Sequence, residues 1–464
     1  MVNKKVCIIG SGIGGLAVGA LLTKKGYKVT VFEKESDIGG RAFTLNGSNI
    51  KIEDYKNLLS RHNMNIAFSE PDLETIFKKK MLENYNLDLG FHIIGGGITT
   101  TLNDMLSEIN ENQEFIDSYI GFIENGEYNF PFISRFDKIK IAPNIIRLLF
   151  ANERKMKELD KTSITDTIKQ YGKGKMKLIL EVFSRSITTI NNLDKISSGE
   201  MLRAQKNLYR GSKPVAYPKG GLKSIYEKFA NYIEENGGEI KLNANIDKII
   251  IKDEKAIGVE IKYNKYLCDI VISNILVQNI FNIADENQFP KDYVNYIKSL
   301  RGTGSLCAYY SLNEIPNDLI GKAFHFIERD TGLDGNDVVG MIDFMITSKE
   351  ADMSPKERLI VQSYVICTPA EAKNPGVLRK LRKILDENLE VLIPNFKSQL
   401  NWAVYPTIWH LDGVAKTIEK DKPEITSPVK NLYLVGDCVK APGIGFNCAL
   451  NSANTLNKII TENE

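Results

Sequence analysis

An apolar strand runs straight into a glycine turn at the start of this chain: Val6-Cys7-Ile8-Ile9, then Gly10-Ser11-Gly12-Ile13-Gly14-Gly15. The glycines at 10, 12 and 15 keep the spacing Gly-x-Gly-x-x-Gly, and Leu16 to Lys25 reads as the helix that follows. Gly10 permits a tight turn, Gly12 lets the main chain approach a pyrophosphate, and Gly15 lets helix and strand pack closely. Free N–H groups at Ile13 and Gly14, with the positive end of the helix dipole, suit a bound anion. A second apolar run, Lys28 to Phe32, ends in Glu33, about 20 residues beyond the glycines. A carboxylate there accepts hydrogen bonds from ribose hydroxyls and repels a 2′-phosphate, which argues against NADP. Lys34 beside it is counted with the same site.

Three further segments extend the pattern. Ser36-Asp37-Ile38-Gly39-Gly40-Arg41-Ala42 follows the second strand. Its glycines let the chain pass beneath an extended cofactor, and Arg41 offers a fixed cation; a solvated loop arginine is the competing reading. Near the other end, Asn431 to Val435 is an apolar strand closing in Gly436-Asp437. Pro442-Gly443-Ile444-Gly445-Phe446 then opens a last helix that runs through Asn451 to Ile459, and its N-terminus favours negative charge. Between them lie Tyr217-Pro218-Lys219-Gly220-Gly221 with a helix over Leu222 to Glu234. After that helix come short strands around Asn245–Ile249 and Ala256–Val259, and an Asp269–Asn274 strand.

Taken in this order, the segments resemble the amine oxidase/phytoene desaturase superfamily of FAD-dependent oxidoreductases. The resemblance implies a non-covalently held FAD contacted by Gly10, Gly12, Ile13, Gly14, Gly15, Glu33, Lys34, Gly40, Arg41, Gly436, Asp437, Gly445 and Phe446. It also implies that the Ile246 main chain meets adenine. The fold it implies is α/β. A discontinuous Rossmann-like FAD-binding domain of the glutathione reductase type (residues 1–97, 213–285 and 423–464) would carry a mixed α+β substrate lobe (98–212 and 286–422).

Composition narrows the class. A net charge of +2 argues against nucleic acid, and 43% hydrophobic with 25% charged residues suits a globular chain with a full core. No apolar run reaches about 18 residues, the length of a membrane span. The N-terminus enters the first strand at once, so no signal peptide is expected and a cytoplasmic location is. The six cysteines show neither Cys-x-x-Cys nor zinc spacing, which excludes a disulfide reductase and predicts no metal. Cys7 reads as a small buried hydrophobe, and Cys438 gives no covalent attachment motif. Gly302-Thr303-Gly304-Ser305 and Gly95-Gly96-Gly97 do not make a second dinucleotide turn. Electrons would then pass to a quinone, oxygen or a carrier protein.

Three stretches are candidates in the lobe. Asp88-Leu89-Gly90-Phe91-His92 resembles the superfamily's Asp-x-Gly segment, which places His92 near the flavin as a proton donor or a structural residue. Tyr405-Pro406-Thr407-Ile408-Trp409-His410 falls where amine oxidases carry aromatic cage residues; His410 is a second acid–base candidate, and core packing is the alternative for the aromatics. Phe136 to Leu159 has apolar residues at helical spacing with basic flanks, as an interfacial helix or a solvent-facing one does. It would give peripheral contact with the inner face of a membrane.

The expected activity is hydride transfer between flavin N5 and a carbon of an apolar isoprenoid- or lipid-like substrate, with C–C desaturation or saturation. Amine oxidation is the alternative. A non-redox isomerase of the carotenoid type and a prenyl or lipid carrier like Rab escort proteins also share this fold.

Overall fold

Apolar strands buried on both faces pair in parallel; four such strands and a short, partly exposed edge strand form the central sheet of the protein's computed structural model. Their order is Glu239–Lys241, Lys28–Phe32, Lys5–Ile9, Ile270–Ser273 and Leu432–Leu434. The structure describes residues 4–140, 143, 152–208 and 213–462. In chain order this sheet reads 3-2-1-4-5, the doubly wound arrangement that opens a crevice beyond the strands' carboxyl ends. Ile9 lies level with Phe32 on one side and Ser273 on the other, so the glycine turn leaves the middle of the sheet. Cys7 is buried there.

The first helix spans Ile13–Lys24 and begins directly after Gly12, three residues earlier than its sequence pattern suggests. Its residues Ile13 to Thr23 are all buried, because the helix is packed between the sheet, the Lys223–Glu235 helix and the last helix, Gly445–Glu462. Gly19 makes that packing close: a Cβ there would stand 2.9 Å from Ile233 and 3.1 Å from Ile8. Strand structure after Glu239–Lys241 resumes only at Lys248, so Ile246 sits in a loop rather than in the strand expected at Asn245–Ile249.

A second sheet has eight strands. They follow the order Met64–Glu70, Leu400–Ile408, Gly304–Leu312, Leu359–Cys367, Val338–Asp343, Ala323–Glu328, Ile120–Glu124 and Glu127–Asn129. Alternation along each strand divides its residues between two faces. Leu306, Ala308, Tyr310, Phe324 and Phe326 pack beneath the Pro375–Leu392 helix. Cys307, Tyr309, Ile360, Tyr364 and Met341 face the other way, towards Phe91 and Val182. Met64–Glu70 belongs to this sheet although it precedes residue 97 in sequence.

Of the amphipathic stretch Phe136–Leu159, residues 141, 142 and 144–151 lie outside the described residues. Phe136 and Ile139, just before them, are exposed, and Glu153–Leu159 is helical. Among the described residues no helix is long and apolar enough to cross a membrane.

Phe324 is the test of this core. It is fully buried, with Tyr128 and Phe344 edge-on at centroid distances of 5.4 and 6.1 Å. Phe324→Ala should destabilise the eight-stranded sheet by about 3–5 kcal/mol, read as an earlier midpoint in guanidinium unfolding followed by fluorescence. An unchanged midpoint contradicts the packing described.

Candidate active site

Beyond the carboxyl ends of the parallel strands lies a cavity of about 540 Å³, within the range of about 300–1,000 Å³ usual for ligand sites. Its walls run from Glu33, Lys34 and Ile246 past Gly10, Gly12, Ile13, Gly14, Gly40 and Arg41. They continue past Gly436, Asp437, Gly445 and Phe446 to His92 and His410. Sixteen residues were named from the sequence, and Gly15 alone does not reach this space. A Cβ at Gly15 would lie 2.4 Å from the Gly10 carbonyl oxygen and 2.9 Å from Asn274 Nδ2, so it serves packing behind the turn.

Glu33 is almost fully buried and held in place. Its Oε2 accepts hydrogen bonds from the Ser11 amide and hydroxyl, both at 2.7 Å, and its Oε1 accepts from the Glu35 amide at 3.0 Å. The Ala244 amide donates to the Glu33 carbonyl at 2.7 Å, which brings the Ile246 loop alongside. Lys34 is half-exposed at the rim, 3.4 Å from Glu35.

Arg41 is not a solvated loop arginine. Its Nη1 donates to the His410 carbonyl at 2.7 Å and its Nη2 to Asp437 Oδ1 at 2.5 Å. The other Asp437 oxygen accepts from the Gly413 amide at 2.8 Å. Burial pushes the Asp437 carboxyl upward, but Arg41, followed by Lys422, outweighs it and holds the group below the usual carboxylate range. The resulting clamp is charge-assisted at both ends.

Other site residues were not found in the sequence. Lys422 and Asp412 form a fully buried ion pair at 2.7 Å. Lys422 also donates to the Asp437 carbonyl at 2.7 Å, and Asp412 Oδ1 accepts from the Gly445 amide at 3.0 Å, so the pair fixes the start of the last helix. Burial alone would push Lys422 down, yet Asp412 and its neighbours hold it well above the ordinary lysine range. Neither residue stands in a motif; only the return of the chain joins them. Asn274, at the end of the strand noted in the sequence, fills the space among the glycines. A Cβ on Gly12 would meet its Nδ2 at 2.7 Å, and one on Gly14 its Oδ1 at 3.0 Å.

All four histidines of the chain, His62, His92, His325 and His410, line this cavity. His92 Nε2 donates to the Leu89 carbonyl at 2.8 Å, and the His92 carbonyl accepts from Gln362 Nε2 at 3.0 Å, which pins this loop. Burial, reinforced by nearby cations, holds His62 at about 4 and His410 at about 4; burial alone puts His325 at about 4. These three rings are neutral at pH 7, so His410 is no proton donor there. Of the two readings left open for Tyr405 and Trp409, core packing holds: neither lines the cavity. Tyr405 points through its sheet to the opposite core, where its hydroxyl donates to Asp386 at 2.8 Å, and Trp409 packs on that same core. Phe91 and Tyr364, at a centroid distance of 4.3 Å, are the cavity's paired rings instead.

The walls fit a dinucleotide flavin. The first helix has no side-chain cap and no acid in its first turn, which leaves its amides for an anion. His410 Nδ1 and Asn447 Oδ1 are buried without partners among the described residues, and both residues face the same space. Burial pushes the thiols of Cys438 and Cys448 up to about 12 each, so neither is a thiolate that could attach to a cofactor.

Comparison with known proteins gives the class. Residues 13–456 match the family model described as flavin containing amine oxidoreductase. The chain is 26% identical over 280 residues to a 4,4'-diapophytoene desaturase (4,4'-diapolycopene-forming) of Methylomonas sp, covering 57% of this chain and 52% of that protein. It is 26% identical over 304 residues to an all-trans-retinol 13,14-reductase of Danio rerio, covering 61% and 49%. The chain thus spans about half the length of these two curated relatives. A crystal structure of an oxidoreductase from Methanosarcina mazei has the same fold, with a TM-score of 0.71 at 20% identity over 97% of this chain and 99% of that one. The chain belongs to the flavin containing amine oxidoreductase family. Membership implies a flavin in the cavity described above.

Two outcomes test this geometry. Gly12→Val drives a side chain into Asn274 and the crevice, so the purified protein should carry little FAD. Glu33→Ala should fold but lose FAD on dialysis, each lost ribose bond to the carboxylate being worth about 1.5–3 kcal/mol. FAD content equal to the parent's in either variant refutes the placement. A second test is pH. A histidine at about 4 in the fold and 6.5 when unfolded binds its proton mainly in the unfolded chain, so stability falls as pH drops from 6.5 towards 4. For His325 the loss at pH 5 is about 2 kcal/mol. Thermal melts at pH 7 and pH 5 should therefore differ less for His325→Phe than for the parent.

Proposed function

We propose that this oxidoreductase moves a hydride and a proton to or from adjacent carbons of an apolar, isoprenoid- or lipid-like substrate, so that a C–C bond is desaturated or saturated. One observation carries the reading. Beyond His92 the cavity is walled by Phe91, Ile93, Ile98, Ile120, Phe183 and Met341. Its lining carboxylates among the described residues are Glu33 and Asp437, both already bonded to protein groups. A cationic amine would find no free anion in that chamber, whereas an apolar chain gains about 25 cal/mol per Å² of surface buried. The names of the Methylomonas and Danio proteins support the same substrate class and leave the direction of electron flow open.

FAD, when bound, supplies the hydride donor or acceptor. In this reading Glu33 holds a ribose, the Ile246 loop the adenine, and the amides of Ile13 and Gly14 the pyrophosphate. Gly10, Gly12, Gly40 and Gly436 give the cofactor its room, with Lys34 at the rim. Arg41 and Asp437 fix the loop beside it, and the Gly445–Phe446 end of the last helix offers its dipole. Segments 1–97 (apart from Met64–Glu70, which joins the eight-stranded sheet), 213–285 and 423–464 would bind FAD, and 98–212 with 286–422 would close over the substrate. His92 is the acid–base candidate, with Nδ1 as its working atom because Nε2 is committed to Leu89; His410, neutral at pH 7, serves only as a base. The exposed pair Phe136 and Ile139 marks a surface for peripheral membrane contact, where a quinone or carrier protein would exchange electrons.

The test is anaerobic mixing of the purified enzyme with an isoprenoid polyene in detergent, with putrescine as the amine control, while flavin absorbance is followed. Bleaching of oxidised enzyme, or reoxidation of photoreduced enzyme, by the polyene is the expected result. Bleaching by the amine alone overturns the proposal. NADH should bleach the flavin slowly, because the sequence holds one dinucleotide turn and FAD occupies it. Bleaching within seconds at submillimolar NADH refutes that expectation.

A further inference from the structure

The apolar chamber contains one polar device that the reading above leaves unused. His325 stands between Phe324 and Phe326 on the Ala323–Glu328 strand, so alternation turns those two rings into the core and the imidazole towards the cavity. The ring is 1% exposed. Phe183 meets it edge-on with centroids 5.7 Å apart. Its Nδ1 lies 3.2 Å from the Gly340 carbonyl oxygen and 3.2 Å from Ser186 Oγ. Among the described residues its Nε2 has no hydrogen-bond partner.

These contacts fix the tautomer. A carbonyl oxygen only accepts, so Nδ1 carries the proton. Burial puts the group at about 4, so the ring is neutral at pH 7 and Nε2 presents a lone pair. Ser186, which accepts from the shared Nδ1–H, keeps its own O–H to donate, and it interacts with the buried phenol of Tyr364. Ser186 and Tyr364 both line the same cavity. Nε2 is not among the fully buried unpartnered atoms, so it opens on the cavity, where a donor can reach it. What completes this one must bring a donor. A hydrocarbon has none and an aldehyde offers only an acceptor, while an ammonium would need an anion that the chamber does not free.

We propose that His325, Ser186 and Tyr364 form a hydroxyl-binding subsite, and that the substrate is an isoprenoid-like alcohol whose O–H donates to His325 Nε2. Ser186 and Tyr364 flank the bound oxygen, and its apolar chain lies along Phe91, Ile120 and Met341. The proposal rests on the apolar-substrate reading and narrows it: the three side chains select among isoprenoids by the group at one position of the chain.

The experiment uses the FAD-loaded full chain and three probes: geranylgeraniol, the corresponding aldehyde and the corresponding hydrocarbon. Binding is read by equilibrium dialysis and by perturbation of the flavin spectrum. The parent should bind the alcohol on the order of tenfold more tightly than either of the others. His325→Phe should abolish that preference while leaving affinity for the hydrocarbon and FAD content unchanged, and Ser186→Ala should reduce it. Should His325→Phe fail to fold, the parent's ranking and Ser186→Ala decide the matter. Equal binding of all three probes by the parent overturns the subsite, with water as the partner of Nε2, and leaves the apolar-substrate reading standing. Binding of none overturns both.

Discussion

The bond between Arg41 and Asp437 is the constraint on which the site depends. Two short motifs, almost 400 residues apart, meet in one charge-assisted contact of 2.5 Å. Neither group could be left buried alone, because an unpaired charge in that environment costs several kcal/mol. The pair therefore forces the Gly39–Gly40 loop, the Leu432–Leu434 strand and the His410 carbonyl into a single arrangement. Lys422 and Asp412 extend it to the first turn of the last helix. The cavity is rigid where these two ion pairs stand, and its chemistry there is polar. Towards the eight-stranded sheet it becomes apolar within the same continuous space. One wall thus suits a charged cofactor and the other an uncharged substrate.

Short-range spacing made part of this legible in the sequence. The glycine turn, Glu33 and the Gly436-Asp437 strand end are local patterns, and each has a physical reason to sit where it does. Helix limits moved by one to three residues, as with Ile13–Lys24, because the cap rather than the apolar periodicity sets where the first turn begins. Gly15 fell outside the cavity and serves the close helix–strand packing that its spacing implied, with Asn274 and the Gly10 carbonyl directly behind the turn. His62 and His325 were invisible in the sequence. Nothing around His325 marks it except two phenylalanines, and a strand of that composition reads simply as core. For Tyr405 the sequence left a cage role and core packing open, and the structure puts it in the core, because the period of two decides faces only once the sheet is known.

Burial keeps three imidazoles uncharged, so these rings bring no positive charge to the apolar chamber. Arg41 and Lys422 are kept charged by their carboxylate partners, Asp437 and Asp412.

The order of strands in the parallel sheet has a consequence for how the protein is made. Lys5–Ile9 occupies the centre, yet one of its flanks is covered only by Ile270–Ser273, and that strand in turn by Leu432–Leu434. A ribosome delivers those segments long after the first. Until they emerge, that edge of Lys5–Ile9 carries unpaired backbone N–H and C=O groups, a template for pairing with other chains. Completion of the crevice and covering of that edge are then a single event, so the flavin site and the finished sheet form together.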